Sequence, residues 1–249
     1  MLFDTPPNII AIVEARMTSS RLPGKHLLLA DGKPMLQHLV DRLKQVSLIS
    51  KIVIATTINS ADDVLVDFAR VAEVEVYRGS ELDVMGRVLE AGEAFSADVI
   101  CEVTGDCPII DPELVEQVIQ SFLVNSAVYA NNGRKGLPDG MGAQVFCLEA
   151  LKQSAALTQD PLDREHVTLH IRHHTELFPP FYLVAPRSLS WPELGLTLDE
   201  RDDYILLKRI IEYFGIANPY FSCAQVIQLL REKPDWLLIN KHVMRKGDA

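Results

Sequence analysis

The chain has 249 residues, 48% of them apolar, and carries 24 basic against 34 acidic side chains for a net charge of −10. That is enough apolar chain to bury a full core, and the acidic balance argues against a general nucleic-acid binder, which would carry a basic face. No apolar run approaches a membrane span, and the stretch from Met1 to Asn8, with Asp4 and two prolines, lacks a signal peptide's pattern, so a soluble cytoplasmic protein with no membrane partner is expected.

In chain order, the first element is a short apolar run, Ile9-Ile10-Ala11-Ile12-Val13, which reads as a buried strand over 9–14. It opens into Ala15-Arg16-Met17-Thr18-Ser19-Ser20-Arg21-Leu22-Pro23-Gly24-Lys25, where three cations stand among hydroxyl residues and a Pro-Gly break. No acidic residue occurs between Ala15 and Ala30. A strand leading into a cationic, turn-rich loop is a sensible cradle for a polyphosphate: backbone N–H groups line it, and Arg and Lys neutralise the charge. The Gly-Lys-Ser/Thr ending of a Walker loop is absent, which argues against an ordinary P-loop ATPase.

Further strands are predicted near 51–56, 74–77, 98–104 and 127–130, alternating with helices near 34–46, 62–72, 83–95 and 112–124. Asp111 and Pro112 stand where the cap and first position of the last helix belong. This alternation predicts a parallel sheet covered by helices on both faces, which binds ligands at the carboxyl ends of its strands. The loops 15–25 and 104–108 therefore open on one edge. Beyond residue 130 the pattern is less regular. Gly133, Gly136, Pro138, Gly140 and Gly142 mark a lip, and a helix is expected from Asp160-Pro161 to about Arg172. A strand near 194–198 then leads through Asp199 into helices near 201–214 and 223–232. One domain over 1–249 is expected, with a regular first half (8–130) and an elaborated second half (131–249).

Thr104-Gly105-Asp106-Cys107-Pro108 puts a carboxylate just past a strand end, well placed to hold Mg²⁺ beside a phosphate. Turn capping would account for Asp106 alone equally well, and a helix N-cap would account for Asp199 alone. Together with the basic loop they point to a metal–polyphosphate site. His166, His170, His173 and His174 share helical spacings, for which a partly exposed polar face is the more ordinary explanation than a metal. Cys101, Cys107, Cys147 and Cys223 have no CxxC spacing, which argues against zinc and for reduced thiols.

Ala15–Lys25 resembles the A-R-x-x-S-x-R-L-P-G-K signature of the cytidylyltransferases that activate acidic sugars, which include the CMP-Kdo synthetases and the spore-coat polysaccharide branch. Collinear matches follow at Arg78–Arg87, Thr104–Pro112, Pro138-Asp139-Gly140, Arg164–Thr168 and Leu196–Asp199. The resemblance implies a Rossmann-like, three-layer αβα nucleotide-diphospho-sugar transferase fold. It also implies attack of a sugar hydroxyl on the α-phosphate of a nucleoside triphosphate, CTP by this likeness, with release of pyrophosphate. Arg16, Arg21 and Lys25 would bind the triphosphate, and Arg16, Lys25 and Asp106 would carry catalysis. Asp106 and Asp199 would ligate Mg²⁺. Ala15, Ser20, Ser80, Asp83, Arg87 and Thr104 would complete the nucleotide site, and Asp139, Gln144, Glu165 and His166 would meet the acceptor sugar. For Arg87, on a predicted helix, an exposed position serves as well as a functional one. A homodimer through the second half is a further implication. A relative of this fold using GTP or UTP, and a catalytically silent nucleotide-sugar binder, are the alternatives.

Four positions depart from the pattern. Glu14 stands where a neutral residue is expected, and Glu102 where the branch carries Arg. Gly142 and Gln144 replace acidic residues of the lip. Strand alternation turns Glu14 and Glu102 to the pocket side, where they add negative charge near a polyanion site.

Overall fold

The computed structural model describes residues 3, 5–133 and 135–244; Met1, Leu2 and Asp4 of the amino-terminal stretch lie outside them. The chain runs β1 (Ile9–Glu14), the short pair β2 (Leu29–Ala30) and β3 (Lys33–Pro34), α1 (Met35–Leu43), β4 (Lys51–Thr57), α2 (Asp63–Val71), β5 (Glu75–Gly79), α3 (Val84–Ala94), β6 (Val99–Thr104) and α4 (Pro112–Val124). It continues through β7 (Tyr129–Asn131), β8 (Gln144–Cys147), α5 (Leu148–Leu157), α6 (Pro161–Glu165), α7 (Leu169–His173), β9 (Pro180–Tyr182), α8 (Arg201–Phe214) and α9 (Cys223–Glu232).

The main sheet has seven strands in the order β5-β4-β1-β6-β8-β7-β9. The first four are mutually parallel, whereas β8 runs antiparallel to both β6 and β7. β1 is central and buried from Ile9 to Val13, which explains a strand without polar alternation. Its register sets Glu14 opposite Thr104 and Ile12 opposite Glu102, so the carboxyl ends of β1 and β6 finish side by side. Helices over the sheet close one apolar core around β1, β4 and β6. A second cluster joins Ile109 and Leu114 to Leu194, Leu196, Leu198 and the buried faces of α8 and α9.

The mostly parallel, helix-flanked sheet agrees with the sequence reading, and two expected elements are corrected. The helix expected from 161 to 172 is two five-residue helices, α6 and α7, separated at His166–Thr168; the β-branched pair Val167-Thr168 lies in that break. The strand expected near 194–198 is a loop with a single bridge, Asp139 to Gly195. Leu194, Leu196 and Leu198 alternate because they plug the second core, not because they pair in a sheet.

Candidate active site

The loop after β1 is closed at its base, where Gly24 N–H donates to the Met17 carbonyl at 3.0 Å with Gly24 at φ 72°. That left-handed turn suits glycine and delivers Lys25 inward at 7% exposure. Lys25 Nζ lies 2.9 Å from Asp106 Oδ2 and 3.3 Å from Asp199 Oδ1, and Arg21 reaches the same Asp199 oxygen at 2.8 Å. Two carboxylates from distant parts of the chain thus meet on one ammonium. Burial pushes the Asp106 carboxyl up, but the Lys25 charge and hydrogen bonds from Thr104 and Lys25 outweigh it and hold the group below its ordinary value. Burial likewise opposes the Lys25 charge, and the two carboxylates more than restore it.

Gly105 permits this approach. A Cβ there would meet the Glu14 carbonyl oxygen at 2.6 Å, and Gly105 N–H donates to that oxygen at 2.9 Å. Beneath it the buried His26 donates from Nδ1 to the Gly105 carbonyl at 3.1 Å, since a carbonyl can only accept. Burial and the Lys25 charge pull the His26 pKa down to about 4, so the ring is neutral at physiological pH.

A cavity of about 260 Å³ opens over this network, walled by Ala15, Arg16, Ser20, Arg21, Lys25, Thr104, Asp106 and Asp199. Arg16 lines it with one nitrogen 3.3 Å from Glu81, which also accepts from Thr18 Oγ1 at 2.7 Å. Arg87 also lines the cavity and is only 3% exposed, which removes the surface alternative raised for it. Glu165 and His166, expected at the acceptor, border this same cavity. Asp139 and Gln144 border a neighbouring one with Glu102, Asn131 and Thr197, and Thr104 stands on the wall of both. The four residues expected to form one acceptor set are therefore divided between two cavities.

Ser80 and Asp83 do not line either cavity among the described residues. Asp83 caps α3 by accepting from Gly86 N–H at 2.8 Å and pairs with Arg164 at 2.7 Å. Ser80 Oγ accepts from Asp83 N–H at 3.0 Å. Glu14 and Glu102 turn to the cavity side as strand alternation requires. Burial raises the Glu14 carboxyl's pKa against a hydrogen bond to Glu102 and the Arg87 charge, which lower it. Two carboxyl groups share a hydrogen bond only with a proton between them. From Glu102 the network runs on: Gln144 Nε2 donates to it at 3.0 Å, and Tyr129 and Thr168 hydroxyls donate to Gln144 Oε1 at 2.6 Å each.

Among the described residues no group of three or more His, Cys, Asp or Glu could hold a metal by protein ligands alone. Asp106 and Asp199 still suit Mg²⁺, which is commonly bound through one or two carboxylates plus substrate phosphates. Their convergence on the Lys25 ammonium is the observation that fits. In the expected histidine group, His170 hydrogen-bonds Ser154 at 3.0 Å and stacks on His174 with centroids 4.0 Å apart. Sequence reasoning missed His26, Asp62, Glu81 and Thr197. Asp62 and Glu81, carboxylates shortly after the ends of β4 and β5, carry a signal of the kind used to find Asp106.

A family model described as cytidylyltransferase matches residues 10–189. The spore coat polysaccharide biosynthesis protein SpsF of Bacillus subtilis is 34% identical over 234 residues, covering 92% of this chain and 96% of that protein. A solved cytidylyltransferase from Leptospira borgpetersenii superposes with a TM-score of 0.87 at 30% identity, covering 92% of this chain and 96% of the other. A CMP:2-keto-3-deoxy-manno-octonic acid synthetase, solved with CTP, shares the fold at a TM-score of 0.61 and 18% identity over 83% of this chain and 99% of its own.

Proposed function

This chain belongs to the cytidylyltransferase family, and we propose from that premise that it transfers CMP from CTP to a hydroxyl of an acidic sugar, releasing pyrophosphate for polysaccharide assembly. The observation that carries the reading is the convergence of Arg21, Lys25, Asp106 and Asp199 in one cavity that Arg16 also lines. Phosphoryl-type transfer needs positioning and charge neutralisation more than a covalent nucleophile. Arg16, Arg21 and Lys25 take the triphosphate oxygens and stabilise charge on the departing pyrophosphate. Asp106 and Asp199 are the residues that would hold Mg²⁺, which supplies charge neutralisation and lowers the pKa of a bound hydroxyl. Thr104, on the wall of both cavities, marks where nucleotide and acceptor meet. Asp139 and Gln144 then face the acceptor from one side, and Glu165 and His166 from the other.

The test is thermal stabilisation by CTP, GTP, UTP and ATP with and without Mg²⁺, followed by pyrophosphate release across a panel of acidic sugars. A nucleotide at 100 times its dissociation constant adds about 2.7 kcal/mol. A Mg²⁺-dependent shift selective for CTP is expected. Selectivity for another base would discard the cytidylyl assignment, and no shift with any nucleotide would discard the enzymatic one.

A further inference from the structure

The cationic loop is anchored from behind by a carboxylate that never faces the cavity. Asp62 is wholly buried in a short 3₁₀ turn, Ser60–Asp62, between β4 and α2. Its Oδ1 accepts the Met17 N–H at 2.7 Å, and its Oδ2 accepts the Thr57 N–H at 3.2 Å and the Thr57 hydroxyl at 2.5 Å. Met17 is the pivot of the loop, because its carbonyl takes the Gly24 N–H that closes the turn. One peptide on either side of Met17 therefore fixes both ends of the loop: its N–H on Asp62, its C=O on Gly24. The Asp62 charge also acts on Arg87 and on His26, favouring the charged form of each.

A carboxylate buried without a cation in hydrogen-bond contact is costly unless donors satisfy it, and three donors do so here. Two of them come from the end of β4, so the bond to Met17 ties the loop to the rigid sheet. On the loop's outer side the half-buried Arg16 and the exposed Thr18 bond Glu81, and Arg21 donates to the Met244 carbonyl at 3.4 Å. Arg16 touches Glu81 with a single nitrogen, and the Asp62–Met17 bond holds the main chain beside it.

We propose that Asp62 is a positioning residue for the triphosphate loop, fixing the Met17 N–H and through it the direction from which Arg16 enters the cavity. The assignment deepens the proposed nucleotidyl transfer and rests on it for the identity of the ligand. Nothing in it depends on the base or on the acceptor sugar.

The experiment measures binding of CTP and of inorganic tripolyphosphate, each with Mg²⁺, to the full chain by calorimetry. Asp62→Ala, Asp62→Asn and Phe122→Leu are compared with wild type, the last removing core volume under α4 far from the loop. Asp62→Ala should weaken both ligands at least tenfold and speed tryptic cleavage after Arg16 and Arg21. Asp62→Asn keeps an acceptor for Met17 and should recover part of the affinity; it also serves as the test if the alanine variant fails to fold. Phe122→Leu should lower Tm while leaving both affinities within twofold of wild type. Affinities within twofold in a folded Asp62→Ala, or in Asp62→Asn where the alanine variant does not fold, overturn the proposal, as does an equal loss in Phe122→Leu. Wild type that binds tripolyphosphate but not CTP removes the cytidylyl reading and leaves the Asp62 comparison intact. Wild type that binds neither overturns both.

Discussion

The two cavities that meet at Thr104 are built in opposite ways. The first is held by ions: Arg21 and Lys25 on Asp199, Lys25 on Asp106, and Arg16 on Glu81. Its parts sit on loops that follow the parallel strands β1 and β6 and on the segment before α8. The second is held largely by amides and hydroxyls, with Gln144 at the hub between Tyr129, Thr168 and Glu102, and it rests on the antiparallel strands β7 and β8. Ion pairs between side chains at a cavity wall are exchangeable, because a polyanion can replace the carboxylates as partner of the cations. A buried amide network, fully satisfied, fixes one shape. The ionic side is suited to a ligand of high charge, and the amide side to reading hydroxyl positions.

The comparison breaks most plainly at Lys25. Lys25→Met removes the ammonium that joins Asp106 to Asp199 and leaves two carboxylates facing one another. Loss of one electrostatic contact of this kind costs about 2.7–4 kcal/mol of transition-state stabilisation, or roughly 10²–10³ in rate. Pyrophosphate release from CTP should fall by that factor, while the far-ultraviolet spectrum stays unchanged. A variant within fivefold of wild type would mean that the ionic network is structural.

Beneath the ionic side, His26 makes its stability depend on pH. The folded pKa of about 4 lies below the ordinary 6.5, so the unfolded chain binds the proton more readily. Stability from this group is complete above pH 6.5 and is lost as pH falls towards 4. The full window is worth about 3 kcal/mol. Replacing His26 with Gln, which keeps a donor for the Gly105 carbonyl, should flatten that part of the profile. Chemical denaturation of both proteins at pH 7 and pH 4.5 measures the difference, and parallel losses in the two would remove His26 as the cause.

The two halves are themselves joined by a buried cation. Arg42 on α1 is 2% exposed, donates to the carbonyls of Ile110, Phe221 and Pro219, and lies 4.0 Å over the Phe221 ring. Burial draws its pKa down to about 10, yet it stays charged near neutrality. Arg42→Met would fill much of the volume and leave the carbonyls without a donor, for a loss of about 2 kcal/mol. Denaturant unfolding should show the loss, with CTP affinity kept because no phosphate ligand is touched. A variant as stable as wild type would show that apolar packing of α8 and α9 alone joins the halves.

The same contrast explains how much could be read without the structure. β1, β4 and β6 are buried on both faces and announce themselves as continuous apolar runs bounded by turns, and the loops that follow them carry the ionic residues. Arg16, Ser20, Arg21, Lys25, Thr104, Asp106 and Asp199 all border the first cavity. The amide side is built from β7, β8 and β9, of three or four residues each, too short to show a period. The 194–198 stretch shows period two for a reason unrelated to pairing, and α5 lies in a segment for which no helix was predicted. Charge, which acts along short loops, is legible; pairing across 42 residues, such as Glu102 with Gln144, is not.

The smallest expected effect tests the boundary between the two sides, at Glu14 and Glu102. Burial raises the Glu14 carboxyl, so the folded chain holds this proton more tightly than the unfolded chain does. The sign is therefore opposite to that of His26: the contribution is present at low pH and falls as pH rises above the ordinary carboxylate value of 4.5. Glu102→Gln preserves the shape and supplies a permanent N–H to Glu14, while its carbonyl still accepts from Gln144. The variant should match wild type near pH 5 and gain about 2 °C in Tm by pH 8, the scale on which a fraction of a kcal/mol appears in a chain of this size. A gain that is the same at both pH values would place the proton elsewhere. A loss at both would mean that the charge of Glu102 is itself required, and that the boundary belongs to the ionic side rather than to the amide one.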